Sequence, residues 1–391
     1  MERIDEFLEE RKENNLLRVL KPAYSRGDGS IYVNGKKYID FSSNDYLGLS
    51  THPKLKKVSS EALQEFGTSS CASRLLSGDS ELCHSLEERI AKFKGKEAAL
   101  IFNSGYQANV GIISALCEKR DVIFSDKLNH ASIIDGMILS GARFFRFQHG
   151  NFCHLESLLK KHRHNFRNSL IITESIFSMD GDRAPLKEFV ELKESYNCKI
   201  MVDEAHATGI FGQKGGGVIE EENLTSQIDI IMGTFGKALG SFGAYVASSL
   251  QLKKYLINTS RSFIYSTALP PAVIAASLAS LDLIEKEPYR RKTLLEMADY
   301  FRRELKRYGF MVKGSSQIVP LMVKDSQKAL TISQELQSKG YWVLAIRPPT
   351  VASGEARLRF SLMYNHTKNT LERLINDICK TSCIRYARKC S

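Results

Sequence analysis

Lys237 stands in the run Gly233-Thr234-Phe235-Gly236-Lys237-Ala238-Leu239-Gly240, directly after the apolar stretch Ile228–Met232. A lysine amine attacks a carbonyl only when deprotonated, a state that a crowded and partly apolar pocket favours. Gly236 and Gly240 would let the backbone come close to a planar ligand. Alone, a lysine in a glycine loop reads equally well as a surface residue. Asp203 and His206 change that reading, because they follow a different apolar run, Lys199-Ile200-Met201-Val202. A pyridine ring withdraws electrons from an attached substrate only while its nitrogen stays protonated, and a carboxylate against that nitrogen keeps it so. His206 could bond a ring hydroxyl beside an imine. The competing reading, a metal pair, lacks a third ligand at useful spacing. The three residues outline a site for pyridoxal phosphate, held as a Schiff base on Lys237.

Two further features are weak alone. Asn103-Ser104-Gly105-Tyr106-Gln107-Ala108-Asn109 reads as a strand-to-helix turn whose glycine and free N–H groups suit a phosphate. It matches neither a Walker loop nor a dinucleotide fingerprint. His130, beyond Val122–Ser125, could lie flat on a pyridine ring, although a loop histidine is more often solvated. Ser178 follows a strand ending near Glu174.

Such residues converge only if a sheet brings them to one edge. Short apolar runs predict strands at Ala98–Phe102, Val122–Ser125, Arg143–Phe147, Leu170–Thr173, Ile200–Val202, Ile228–Met232 and Gly243–Ala247. Helical stretches such as Ile133–Ser140, Leu155–Lys161 and Leu186–Ser195 lie between several of them. The alternation predicts an α/β fold with a mostly parallel seven-stranded sheet covered on both faces, its ligand site beyond the carboxyl ends of the strands. Apolar residues from Ile4 to Leu20 predict an N-terminal helix, and Asn34-Gly35 between Ile31–Val33 and Tyr38–Phe41 predicts a hairpin. Strands at Gly309–Val312, Ile318–Val323, Trp342–Ile346 and Arg357–Ser361 predict a smaller C-terminal α+β domain. The expected organisation is an N-terminal helix and hairpin segment at 1–50, a large domain at 51–280, a small one at 281–380 and a basic tail at 381–391.

With 43% hydrophobic and 25% charged residues among 391, the composition is that of a globular protein and excludes a largely disordered chain. The N-terminus is charged from the start, so no secretory signal is expected, and the most apolar stretch, Pro271–Ile284, is too short and polar to span a bilayer. None of the eight cysteines forms a C-x-x-C pair, which predicts reduced thiols in a cytoplasmic protein. The formal charge of +11 draws on the tail and on Lys160, Lys161, Arg163 and Arg167 around His162 and His164. That balance suits anionic partners such as a phosphorylated cofactor, coenzyme A or an acidic carrier protein; for the second cluster a solvated basic surface is the plainer reading.

The motifs resemble the α-oxoamine synthase family of fold-type I pyridoxal-phosphate enzymes over nearly the whole chain. They are Phe41-Ser42-Ser43-Asn44-Asp45-Tyr46-Leu47-Gly48-Leu49, Ser73-Arg74-Leu75-Leu76-Ser77-Gly78 with His84, Asp203-Glu204-Ala205-His206-Ala207-Thr208-Gly209, and Thr234-Phe235-Gly236-Lys237-Ala238-Leu239-Gly240. Ser43–Leu47 and Arg347-Pro348-Pro349-Thr350-Val351 are most similar to members that condense L-alanine with a pimeloyl thioester carried by coenzyme A or acyl carrier protein. Three positions depart from the pattern without removing a catalytic group. Ala207 replaces a common glycine, Thr68–Ala72 is less glycine-rich, and Ala352 stands where proline is frequent.

The resemblance implies a role for each matching residue. Lys237 would carry the cofactor, Asp203 would pair its ring nitrogen, and His206 and Ser178 would contact the ring hydroxyl. His130 would stack on the ring and stabilise developing charge. Gly105, Tyr106 and Thr234 would seat the cofactor, with Ser266 or Thr267 of a second subunit at its phosphate, which implies a homodimer with shared sites. Arg359 would hold the amino acid's carboxylate, and Arg18, Asn44, Arg347 and Thr350 would line the acyl end. The implied reaction is a decarboxylative condensation. A sister enzyme acting on glycine or serine is the nearest alternative. A basic nucleic-acid-binding protein is a remote one, since no zinc finger, RNA-recognition signature or helix-turn-helix is present.

Overall fold

The computed structural model describes residues 2–381, so the expected basic tail lies, beyond its first residue, outside the described residues. The chain forms two compact units. One holds the residues up to Gly48, then Met179–Asp182, then those from Lys292; the other holds Leu49–Ser178 and Arg183–Arg291. The N-terminal segment is thus part of the smaller unit rather than a region of its own.

In the smaller unit, β1 (Ala23–Gly27), β2 (Ser30–Val33) and β3 (Lys36–Asp40) form an antiparallel meander. Asn34 and Gly35 turn the second hairpin at φ 49° and 73°, the paired positive values of a tight two-residue turn. β3 continues in parallel with the short strand Tyr341–Trp342. The N-terminal helix covers only Glu2–Glu13, not the predicted run to Leu20. Asn15 adopts φ 56° and the amides of Leu16 and Leu17 fold back on the Arg11 carbonyl, at 2.7 and 2.9 Å, which closes the helix.

The larger unit carries the seven-stranded sheet, from β4 (Ala98–Phe102), β5 (Val122–Asp126), β6 (Arg143–Phe147), β7 (Ser169–Glu174), β8 (Lys199–Asp203), β9 (Ile230–Thr234) and β10 (Ala244–Ser248). Their order is β4-β10-β9-β8-β7-β5-β6, and β10 alone runs against its neighbours. β4, β5, β7 and β10 are buried along their whole length, which is why each is dominated by an apolar run, with polar residues confined to the strand ends. The helices Gly105–Leu116 and Ala131–Ser140 pack on one another over a core that includes Ile112, Ile113, Ile133 and Met137. Each such side chain contributes about 1.5–3 kcal/mol by leaving water. Gly136 permits the close approach, because a Cβ there would lie 3.1 Å from the Asn109 carbonyl oxygen.

The smaller unit also holds a sheet of Ile318–Lys324, Ala356–Ser361 and Ala345–Ile346, with most of the helix Tyr289–Arg307 and the helices Ser326–Ser338 and Lys368–Cys379. The predicted strand Trp342–Ile346 is divided between two sheets. Its interruption has a cause: the Val343 carbonyl accepts from Ser333 Oγ at 2.6 Å and Gln337 Nε2 at 3.1 Å instead of a strand. The predicted strand Gly309–Val312 supplies only the bridge Val312–Leu321. No helix among the described residues is long and apolar enough to cross a membrane. The six described cysteines are free thiols.

Candidate active site

Four parallel strands of the larger unit end in polar residues on one edge: β5 in Asp126, β7 in Glu174, β8 in Asp203 and β9 in Thr234. Asp203 is buried and each of its oxygens has a donor. The Ala205 amide reaches Oδ1 at 2.8 Å and Asn109 Nδ2 reaches Oδ2 at 3.0 Å. His206 is buried in the turn that follows, and Lys237 stands three residues beyond β9 with its Nζ 2.8 Å from His206 Nε2. The lysine loop is closed by Thr234, whose hydroxyl donates to the Gly243 carbonyl at 2.8 Å and accepts from the Gly236 amide at 3.1 Å. Gly240 has φ 63°, and a Cβ there would lie 2.5 Å from the Ser50 amide nitrogen, so only glycine fits. Gly236 is under no such demand; its nearest neighbour would stand at 3.6 Å.

His130 caps the helix Ala131–Ser140, its Nδ1 accepting from the Ser132 amide at 3.2 Å and lying 2.8 Å from Ser132 Oγ. Desolvation holds the ring below the ordinary histidine value; the Asp203 charge opposes that shift and Lys237 adds to it. The His130 amide donates to Glu174 Oε1 at 2.7 Å. Burial, and then the neighbouring Asp203 charge, push Glu174 well above the usual carboxylate range. Tyr106 meets the His130 ring edge-on at 6.4 Å and hydrogen-bonds Asp135 through its hydroxyl. Gly105 opens its helix behind the cap of Ser104, whose Oγ accepts from the Gln107 amide at 3.2 Å. Ser178 is half-buried four residues past β7. Thr267 is exposed; its carbonyl accepts from Asn103 Nδ2 at 2.7 Å, and Ser266 Oγ takes a long bond from Gln107 Nε2 at 3.5 Å.

Behind this edge a buried ion pair fixes the turn that carries His206. Lys94 Nζ reaches Glu204 Oε2 at 2.8 Å, Thr208 Oγ1 at 3.0 Å and the Gly216 carbonyl at 2.5 Å. Burial works to lower the pKa of the Lys94 ammonium, but the adjoining Glu204 carboxylate and the Tyr245 hydroxyl together outweigh it and the pKa rises.

The smaller unit gathers the remaining expected residues in two groups. Arg359, buried, donates to Ser361 Oγ at 2.5 Å and to Asn44 Oδ1 and the Tyr46 hydroxyl, both at 3.3 Å. Arg18 donates to Thr350 Oγ1 at 2.7 Å. Burial, and secondly the nearby Arg18, lower the pKa of Arg347, so two cations stand together beside a hydroxyl.

Sequence reasoning did not single out Asn109, Ser132 or Glu174. The one available signal was a polar residue inside the apolar stretch Ala108–Ile113. A cavity of about 740 Å³ in the larger unit is lined by Lys96, Asp121, Ser169, Asp229 and Tyr255 and shares no residue with the groups above. The described residues contain no cluster suited to a metal ion. A fixed carboxylate and an amine on adjoining strand ends form the donor set that a pyridinium aldehyde requires, so pyridoxal phosphate fits.

The comparisons agree with that chemistry. The sequence pattern of aminotransferase class I and II matches residues 36–378. The 8-amino-7-oxononanoate synthase of Geobacter sulfurreducens is 48% identical over 94% of this chain and 95% of its own. Among solved structures, serine palmitoyltransferase of Sphingomonas wittichii superposes with a TM-score of 0.92 at 30% identity, covering 98% of both chains. An 8-amino-7-oxononanoate synthase of Francisella tularensis gives 0.77, also at 30%, over 89% of this chain and 99% of its own. The backbone is therefore shared by enzymes with different substrates, and the higher sequence identity discriminates better between them than the superposition does.

Proposed function

Because the chain belongs to the aminotransferase class I and II family, we propose that it joins L-alanine to a pimeloyl thioester with loss of carbon dioxide, giving 8-amino-7-oxononanoate for biotin biosynthesis. It is a pyridoxal-phosphate-dependent acyltransferase. One observation carries the reading: the fixed carboxylate of Asp203 ends β8 and the amine of Lys237 follows the adjoining parallel strand β9, in a chain 48% identical to a synthase of that name.

When bound, pyridoxal phosphate supplies an aldehyde that takes up an amine and a cationic ring that accepts the electron pair left on an α-carbon. Lys237 would hold the cofactor and, once its amine is released, take the α-proton of alanine at Nζ. His206 Nε2, 2.8 Å from that nitrogen, orients it. Asp203 would keep the proton on the ring nitrogen, with both carboxylate oxygens already held by donors. Gly105 and Tyr106 start a helix whose unpaired amides and positive end suit the phosphate. Ser178 is assigned to the ring hydroxyl and Thr267 of a second copy to the phosphate, so the working form is a homodimer. Arg359 is assigned to the alanine carboxylate. Arg18, Arg347, Asn44 and Thr350 are assigned to the acyl end, where two neighbouring cations suit the terminal carboxylate of a pimeloyl chain.

The test is a substrate panel. Purified protein with pyridoxal phosphate is offered alanine, glycine and serine, each with pimeloyl, acetyl and palmitoyl thioesters. Condensation and carbon dioxide release are expected with alanine and a pimeloyl thioester. Turnover with serine and palmitoyl, or glycine and acetyl, in preference would overturn the substrate assignment while leaving the lysine chemistry standing. Comparing the coenzyme A and acyl-carrier forms identifies the carrier.

A further inference from the structure

Two polar side chains outside the assigned set join the carboxylate at the end of β8 to the imidazole at the start of the helix Ala131–Ser140. Asn109 Nδ2 lies 3.0 Å from Asp203 Oδ2 and 3.0 Å from Ser132 Oγ, and Ser132 Oγ lies 2.8 Å from His130 Nδ1. Asn109 and Ser132 are both buried. Their approach is set by the close packing of their helices at Gly136.

The direction of each bond follows from what each group can do. A carboxylate only accepts, so the amide nitrogen of Asn109, and not its oxygen, faces Asp203. The same nitrogen donates to Ser132 Oγ. Asn109 Oδ1 is left buried with no hydrogen-bond partner, an expense tolerated for that orientation. With its oxygen already accepting from Asn109, the Ser132 hydroxyl proton is free for His130 Nδ1. The Ser132 amide, which can only donate, also points at Nδ1 at 3.2 Å. Nδ1 therefore carries no proton, and in the neutral ring the proton sits on Nε2.

We propose that Asn109 and Ser132 are positioning residues that hold Asp203 in place and fix His130 as the Nε2–H tautomer, a hydrogen-bond donor toward the reacting carbonyl rather than a base. The tautomer stands on the hydrogen bonds alone, whereas its use toward a substrate rests on the proposed reaction. The lowered pKa of His130 agrees with a ring that stays neutral. The assignment divides the labour: Lys237 moves the proton, and His130 meets the negative charge that develops on oxygen.

The experiment reads the ring itself, in the cofactor-free chain with labelled histidine. Long-range nitrogen–proton correlation spectra, with His130→Asn for assignment, report which ring nitrogen holds the proton. The full-length protein should show Nε2 protonated and Nδ1 bare. Asn109→Leu and Ser132→Ala should each move proton occupancy part of the way toward Nδ1, because the backbone amide of residue 132 still donates there, and the double variant should move it no further than either single one, since both break one chain of bonds. Loaded with pyridoxal phosphate, each variant should lose about tenfold in kcat with little change in KM for alanine, the scale of one misplaced hydrogen-bonded group. Asn109→Ser, which keeps a small polar donor, and Ser132→Thr, which keeps the hydroxyl, serve if the larger changes prevent folding, and Ser132→Thr should restore the parent spectrum. A protonated Nδ1 in the parent protein, unchanged spectra in both variants, or additive displacements would overturn the proposal. Failure of the parent protein to bind pyridoxal phosphate would instead overturn the proposed function and leave the tautomer result intact.

Discussion

The Nζ of Lys237 lies 2.8 Å from Nε2 of His206, although 31 positions separate them in the chain. The contact exists because β8 and β9 are neighbours in parallel register, with Asp203 opposite Met232, so the turns after both strands emerge side by side. An amine held by a neighbouring ring and carried on a loop closed by Thr234 has few positions to choose from, as a nucleophile requires.

Replacing Lys237 with alanine should abolish the visible absorbance of the cofactor-loaded protein and cut turnover by roughly 10³-fold or more, the upper range for a positioned proton-transfer group that also holds the cofactor. Lys237→Arg keeps the charge but cannot form the imine, and should be equally inactive. Spectra and single-turnover assays decide this, and retention of both absorbance and turnover in either variant would end the assignment.

Asp203→Asn keeps the shape and the bond capacity toward Asn109 but removes the charge that keeps a proton on a ring nitrogen. The expected result is a fall in kcat of roughly a hundredfold or more, with cofactor affinity much less affected. Equilibrium dialysis beside steady-state kinetics separates the two effects. Normal turnover would show that the carboxylate is only structural.

Much of this edge was legible in the sequence because each chemical residue sits just after an apolar run. Strands buried on both faces write themselves as unbroken hydrophobic stretches, so the ends of β8 and β9 could be placed and Asp203 and Lys237 with them. The roles of Asn109, Ser132 and Glu174 were not legible, even though Glu174 ends an apolar run and Asn109 interrupts one. Their partners come from a helix–helix approach and a strand neighbour, and nothing in local spacing encodes either. The N-terminal helix was overextended for a related cause, since apolar periodicity persists past Asn15 while the left-handed backbone there ends the helix. Trp342–Ile346 reads as one strand because its hydrophobicity is continuous; only the tertiary bonds to the Val343 carbonyl divide it.

Lys94→Met should destabilise the protein by about 3–5 kcal/mol, because it strands the Glu204 carboxylate in the interior. The double variant with Glu204→Gln should recover part of that loss, since no unpaired charge remains, although the amide cannot serve every bond that Glu204 makes. Urea unfolding of the parent and the two variants measures the difference. Equal destabilisation in single and double variants would mean that packing, not charge, is what Lys94 provides.

His366 should make the smaller unit's stability depend on pH between neutrality and mild acid. The ring is buried, its Nε2 donating to the Asp40 carbonyl at 3.1 Å and its Nδ1 accepting from the Met363 amide at 3.1 Å, while Phe41 lies 4.1 Å away. Desolvation lowers its pKa to about 3, against a small opposing effect of the Asp40 carbonyl. An unfolded histidine titrates near 6.5, so above that value neither state binds the proton and the group contributes its full stability. As pH falls below about 6.5 the unfolded chain takes up a proton that the folded ring refuses, and stability drops by about 1.4 kcal/mol per pH unit until the folded value is reached. Between pH 7 and pH 5 this group alone should therefore remove about 2 kcal/mol. His366→Asn can reproduce the two bonds without titrating, so the difference between parent and variant in their unfolding free energies should shrink by that amount as the pH falls. Parallel pH profiles for the two proteins would show that the ring is already protonated, or already exposed, in the folded state.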